Sequence, residues 1–351
     1  MNSNWGYYPD EKLPEGDVPA GRIISRNREI YLLADGKKIY NARVTGKMVY
    51  QAEESAELPV VGDWVVYEMH DDLAVVKEIL PRFSVISRKA AGVTTEEQPI
   101  AANINTAAIV FGLDGGRNYN SRALERYLTI AWNSGAQPLV ILNKADLCDD
   151  PEAVKNEAEF TAPGVDVIVA SAKTGEGVEL VRSKVPSGSS IVFIGPSGVG
   201  KSALTNALLG TEKQLTGETR ENDKRGRHTT TSSVMTVIPG GGVLIDSPGL
   251  KEIQLWGESE SLDPVFEEIT ALAEECKFGD CSHQGEPGCA VQQALADGTL
   301  DQSRYESYLE LKRELAYLET KQDERARHEF RARNKRFGKM IKDMKKGKVI
   351  Y

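Results

Sequence analysis

Gly195, Pro196, Ser197, Gly198, Val199, Gly200, Lys201 and Ser202 read "GPSGVGKS" and fit the pattern G-x-x-x-x-G-K-[ST]. The run follows a strand-like "IVFI" and opens a helical "ALTNALL", the context in which this pattern is a phosphate-binding loop. Its glycines let the backbone curl so that successive N–H groups face phosphate oxygens. The helix start, through Ala203, adds a field that favours an anion. Lys201 is placed to reach β and γ phosphates and Ser202 to ligate Mg²⁺. Downstream, "VLIDSPG" puts Asp246 at the end of an apolar strand, where an acid can hold Mg²⁺, and Gly249 offers an unobstructed N–H to a γ-phosphate. The polar segment between them, "TGETRENDKRGRHTTTSS", has the makeup of a switch ordered by γ-phosphate and Mg²⁺. One hydroxyl of Thr229, Thr230 and Thr231 is expected on the metal, with Thr230 preferred and Thr229 close behind. The alternative for the trio is a plain strand start.

A second constellation recognises a base. "NKAD", Asn143 to Asp146, follows a buried-type strand. Asp146 can accept both N–H donors on the Watson–Crick edge of guanine, and adenine offers no matching exocyclic amine there. Asn143 can tie neighbouring loops and touch the other base edge, while the Lys144 stem can lie over the ring. "ASAK" follows another strand. There the Ala172 N–H can meet guanine O6, with Ser171 and Lys173 framing the pocket.

The chain order is therefore base box, second base box, phosphate loop, switch threonines, D-x-P-G. A pocket depends on spatial adjacency and not on chain order, so the same sheet can form if its usual ends are joined and another loop is cut. The set implies a circularly permuted GTPase, with "SGSS" before the phosphate-loop strand as the join. Permutation ties "SPGLKEIQLWG", the expected second switch, to everything C-terminal of it. Loss of γ-phosphate is expected to move those modules. Leu250 stands where many GTPases carry a glutamine and cannot orient water. His228 is the nearest polar candidate, either positioning water or assisting proton transfer. The alternative is a histidine that shapes the threonine loop or touches a partner.

"CKFGDCSHQGEPGC" offers Cys276, Cys281, His283 and Cys289. Three thiolates and an imidazole suit tetrahedral zinc with no open position, a structural site. Cys148, the fourth cysteine, reads as local packing. From Arg325 to Tyr351 eleven Lys or Arg stand against two acids, so this tail carries +9 while the chain as a whole carries −9. Such asymmetry fits a local polyanion site on an acidic protein. A solvated helix surface is the bland alternative.

These residues need a scaffold. The 351 residues, 40% hydrophobic and 27% charged, have an ordinary globular composition and room for two or three domains. No apolar run has the length of a membrane span, and the N-terminus lacks the pattern of a secretory signal. Cytoplasm, no membrane partner and a monomer are the expectations. Residues 1–18 read as a flexible N-terminus. Residues 19–90 read as about five strands closing into a small oligonucleotide-binding (OB) type barrel. Its Tyr31, Tyr40, Trp64 and Tyr67 are either core or base-stacking residues. Residues 100–257 alternate strand and helix, implying a mostly parallel α/β sheet. Residues 258–351 hold the metal segment, helices and the basic tail. A barrel and a basic tail flanking a nucleotide domain suggest a structured RNA gripped at several points.

The set "NKAD", "SAK", "GPSGVGKS", "GRHTTT", "DSPG" and "CKFGDCSHQGEPGCAV", in that order, resembles the bacterial ribosome small-subunit-dependent GTPase A family over about residues 20–340. The resemblance implies an OB barrel, a permuted GTPase domain and a C-terminal zinc module. It implies GTP hydrolysis late in maturation of the small ribosomal subunit, with rRNA bound and the hydrolysis stimulated by the subunit. It places guanine on Asn143, Lys144 and Asp146, phosphate and Mg²⁺ on Lys201 and Ser202, the switch on Thr229 and Thr230, and proposes His228 as catalytic. The rival functions are a GTP-dependent switch on a protein complex with little RNA contact, and a zinc-stabilised RNA-binding module whose nucleotide site is structural.

Overall fold

The computed structural model describes residues 5–6, 19–27, 30–52, 57–89, 97–115, 119–210, 233–247, 250, 262–318 and 320. The switch residues His228, Thr229, Thr230 and Thr231, Gly249, and the basic tail lie outside them.

Five strands form the N-terminal barrel: β1 (Ala20–Asn27), β2 (Ile30–Ala34), β3 (Ile39–Val44), β4 (Trp64–His70) and β5 (Leu73–Ile79). A short helix α1 (Gly46–Gln51) bridges β3 and β4, with the Thr45 side chain accepting from the Met48 N–H as its cap. The order β1-β2-β3-β5-β4 closes through β1–β4, so no strand keeps a free edge on the barrel. Alternation drives the closure. In β2, Tyr31 and Leu33 point inward and Ile30 and Leu32 outward. Tyr31, Trp64 and Tyr67 are buried, and Tyr40 donates to Asp35 Oδ2 at 3.1 Å. The three buried rings present no face for base stacking: Tyr31 and Tyr67 fill the barrel interior, and Trp64, on the other face of β4, packs with Ala20 and Leu80 beneath the Arg22 guanidinium. An antiparallel ribbon not foreseen from the sequence, β6 (Val85–Lys89) with β7 (Glu97–Ala102), follows.

The α/β region runs β8 (Thr106–Gly112), α2 (Ser121–Asn133), β9 (Gln137–Asn143), a 3₁₀ turn (Ala145–Leu147), α3 (Pro151–Thr161) and β10 (Val167–Val169). It continues with α4 (Val178–Ser183), β11 (Ser190–Ile194), α5 (Lys201–Leu209), β12 (Ser233–Val237) and β13 (Val243–Asp246). Its sheet order is β10-β9-β8-β11-β13-β12, parallel throughout except for β12. Strands as apolar and continuously buried as β11 and β8, each with a single hydroxyl residue at its start, are what a sheet buried on both faces requires. The chain builds β9 and β10 to one side of β8 and β12 and β13 to the other side of β11, so the crevice at the C-terminal ends of β8 and β11 is the topological switch point where ligands bind.

The modules are not beads on a string. Strand β1 pairs antiparallel with β12, Ser25 opposite Val234 and Arg26 opposite Ser233. Beside this seam Arg22 is 1% exposed and donates to the carbonyls of Gly62 (3.1 Å), Asn103 (2.7 Å) and Trp5 (2.5 Å). Burial lowers its pKa to about 9, with Asp63 opposing, and three carbonyls supply the partners a buried guanidinium needs. Trp5, within the N-terminal stretch, packs half-buried against the main core.

On the other side, α6 (Glu267–Glu274), α7 (Ala290–Ala296) and a helix over 302–318 share the core of the α/β region through Phe266, Ile269, Val291, Leu311 and Leu315. Helix α2 meets the last helix along a charged ladder. Buried Glu125 accepts from Arg304 at 2.6 Å and from the Ser307 hydroxyl, and Arg126 forks onto Glu314 at 2.6 and 2.7 Å. Arg304 also reaches Glu268 at 2.6 Å and covers the Phe266 ring. Among the described residues no helix is long and apolar enough to cross a membrane.

Arg304→Ala leaves the Glu125 carboxylate buried without its cation. It is expected to cost about 3 kcal/mol, seen as a lower urea midpoint, and an unchanged midpoint contradicts the assignment.

Candidate functional site

The phosphate loop connects β11 to α5. Gly200 sits at φ 95°, and a Cβ there would stand 2.3 Å from Asn143 Nδ2. Gly195 sits at φ 134°, with a Cβ meeting the Val110 carbonyl at 2.3 Å. Both positions therefore exclude any other residue for two reasons, conformation and space. Val199 is buried beneath the loop, while Ser197 and Gly198 are exposed and Pro196 is intermediate. Lys201 Nζ donates to the carbonyls of Gly195 and Pro196, each at 2.6 Å, which curls it back over the loop. Lys201, Ser202, Asp246, Ser247, Thr205 and Leu250 line one cavity beside it. The two described candidates for Mg²⁺, Ser202 and Asp246, thus face the same space as the phosphate lysine. Leu250 is 4% exposed and packs into the core, so its position has no polar group to offer a water. Ala203 continues α5 behind the loop.

Asn143 joins this loop to the base boxes. It is 1% exposed at the end of β9. Its Nδ2 donates to the Val199 carbonyl at 2.9 Å, and its Oδ1 accepts the Ala172 N–H at 3.0 Å. Its own carbonyl accepts the Leu113 N–H at 2.8 Å. Three loops from distant parts of the chain are thereby fixed on one residue. The Ala172 N–H, expected on guanine O6, is instead donated to Asn143.

Asp146 follows in the 3₁₀ turn. Ser171 Oγ donates to its Oδ1 at 2.6 Å, and Lys173 Nζ lies 3.7 Å from Oδ2. The Ser171 bond, opposed by burial, holds its carboxyl below the usual carboxylate range. Asp146 is therefore an ionised, acceptor-only group at neutral pH, the form that pairs with two N–H donors. Lys144 adopts a left-handed φ of 63° and its Nζ reaches Asp114 Oδ2 at 2.5 Å. Asp114 belongs to none of the motifs. Its only sequence signal is an acid placed just beyond the buried strand β8. Cys148 is partly buried against the main core, as packing predicts.

The C-terminal cluster also assembles. The ligand atoms of Cys276, Cys281, His283 and Cys289 all lie within 4.8 Å of one another, and none of the cysteines is in a disulfide. Cys276 and Cys289 sulfurs are 3.8 Å apart, and His283 Nδ1 is 3.6 and 3.5 Å from them. A tetrahedron with metal–sulfur bonds of about 2.3 Å has edges of about 3.8 Å, so the set fits zinc. His283 holds a φ of 61°, and its carbonyl accepts from Gln292 Nε2 and the Tyr305 hydroxyl, each at 2.5 Å. Those bonds seat the knuckle on α7 and the C-terminal helix.

Gly200→Ala is expected to weaken GDP binding at least about tenfold, because the Asn143 link must break. Calorimetric titration checks this, and wild-type affinity contradicts it. Stripping zinc with a chelator is expected to raise hydrogen exchange over 267–318 while the amides of β8, β9 and β11 stay protected.

A family model described as RsgA GTPase matches residues 79–256. The chain is 44% identical over 319 residues to Small ribosomal subunit biogenesis GTPase RsgA 1 of Oceanobacillus iheyensis, covering 90% of each. It is 43% identical to RsgA 2 of Lactiplantibacillus plantarum, over 88% of this chain and 87% of that one. Among solved structures, YjeQ from Thermotoga maritima aligns with a TM-score of 0.65 at 26% identity, over 85% of this chain and 98% of that one. YloQ, titled a circularly permuted GTPase, aligns with a TM-score of 0.62 at 26% identity, over 88% and 98%. Motif order, sheet topology, metal cluster and these matches agree, and the chain belongs to the RsgA GTPase family.

Proposed function

We propose that the protein hydrolyses GTP in the biogenesis of the small ribosomal subunit, acting late, contacting rRNA and being stimulated by the subunit. The observation that carries the nucleotide half is Asn143, which brings base boxes and phosphate loop to one crevice. The ribosomal half rests on relatives named for small-subunit biogenesis. The factor works as a monomer in the cytoplasm.

Asp146 takes the N1 and N2 donors of guanine, and Ser171 keeps that carboxylate oriented. Lys144 covers the ring, with Ala172 and Lys173 at the rim. The backbone of Gly195, Pro196, Ser197, Gly198, Val199 and Gly200, with Ala203 behind it, cradles the phosphates. Lys201 leaves its two carbonyl partners to meet the β and γ oxygens. Bound Mg²⁺ supplies charge neutralisation on those oxygens, and Ser202, Asp246 and Thr230 are the residues that would hold it. Thr229 and Gly249 approach the γ-phosphate, and His228 positions the attacking water. Zinc on Cys276, Cys281, His283 and Cys289 is structural. With a leucine buried at position 250, intrinsic turnover is slow and a docked subunit completes the site.

Multiple-turnover hydrolysis with purified small subunits is expected to exceed the basal rate by on the order of tenfold or more. Large subunits and free RNA serve as controls, and Lys201→Ala removes the activity. Absence of subunit-specific stimulation turns the assignment toward a switch on a protein complex.

A further inference from the structure

The loop after β8 carries a carboxylate that none of the nucleotide motifs includes. Asp114 Oδ2 and Lys144 Nζ are 2.5 Å apart, each side chain 25% exposed. The lysine stem between root and tip is closely tracked. A Cβ on Gly112 would stand 3.5 Å from Lys144 Cδ, 3.4 Å from Val199 Cα and 3.2 Å from Asp114 Oδ1. A Cβ on Gly200 would stand 3.9 Å from Lys144 Cε. The stem therefore runs from the base box, past the phosphate-loop backbone, to an anchor on a third loop. Its root is equally fixed, by the left-handed backbone of Lys144 and by the Leu113 N–H on the Asn143 carbonyl.

A lysine with a free tip samples many rotamers, and fixing it when a ligand arrives costs affinity. Here both ends are held in the protein without ligand. We propose that Asp114 is a positioning residue for the nucleotide: it stretches Lys144 into a preformed apolar cover for one face of the guanine ring. The inference rests on the proposed base site. It assigns Asp114 no contact with the base edge, so it should not select among purines that share the Asp146-facing donors. The cover should lengthen nucleotide residence more than it alters arrival.

The test uses the full chain and fluorescent GDP, with dissociation rates and affinities for wild type, Asp114→Asn, Lys144→Ala and the double variant. Asp114→Asn is expected to raise the GDP dissociation rate about fivefold, the scale of a partly exposed ion pair. Its effect should vanish in the Lys144→Ala background, because Asp114 acts through that stem. Asp114→Glu, which keeps the charge, should recover part of the residence time. Additive effects of the two substitutions, or unchanged residence in Asp114→Asn, overturn the inference. Failure of the wild type to bind GDP would instead overturn the base site itself.

Discussion

One buried carboxamide holds the nucleotide crevice together. Asn143 spends its donor on Val199 and its acceptor on Ala172 while its backbone carbonyl takes Leu113. Each partner lies on a loop that leaves the C-terminal end of a different strand. Those loops have little other regular structure, and surface loops are otherwise the most mobile part of a fold. In a low-dielectric setting a satisfied amide is strong and an unsatisfied one costly, so the three loops are fixed together or not at all. That explains why Gly200 must lack a side chain: the space it would occupy is already held by the amide.

The same interaction makes the permutation physically unremarkable. Cutting and rejoining a chain changes loop closure costs only slowly with length. It leaves the parallel pairing of β8 with β11 and β11 with β13 intact. What changes is what each end of the sheet is attached to. Strand β12, which follows the switch segment, is hydrogen-bonded to barrel strand β1. The far face, through α2, is clamped to the zinc module by Glu125 and Arg304. A nucleotide domain of this build is gripped on two sides by the modules it would have to move. The barrel seam is made by main-chain bonds and a buried guanidinium. The zinc side is made by an apolar core stitched with charge.

Some of this was legible in the residues. The phosphate loop, the two base boxes and the metal cluster are short, and each carries its chemistry within a few positions. Alternation in β2 and the nearly continuous apolar runs of β8 and β11 announced a half-buried barrel strand and a doubly covered sheet. Other features were not legible. Tyr31, Trp64 and Tyr67 could stand on either side of a strand of the barrel; its closure buried Tyr31 and Tyr67 inside, while Trp64, facing out, is buried against Ala20 and Leu80. Asp114 has no neighbour in sequence that marks it, because its partner lies 30 residues away. The β6–β7 ribbon hides in a stretch whose pairing depends on a bulge.

By itself the sequence determined which atoms are available: a lysine and a hydroxyl in a glycine-rich loop, a carboxylate just after a buried strand, and three thiols and an imidazole in one short segment. These follow from residue type and local spacing, and local spacing fixes local geometry. Only the tertiary structure decided which of them meet. Asn143 with Val199, Asp146 with Ser171, and Lys144 with Asp114 are contacts between chain-distant loops. Their formation depends on strand order, which side-chain burial across the whole sheet selects and no short motif encodes.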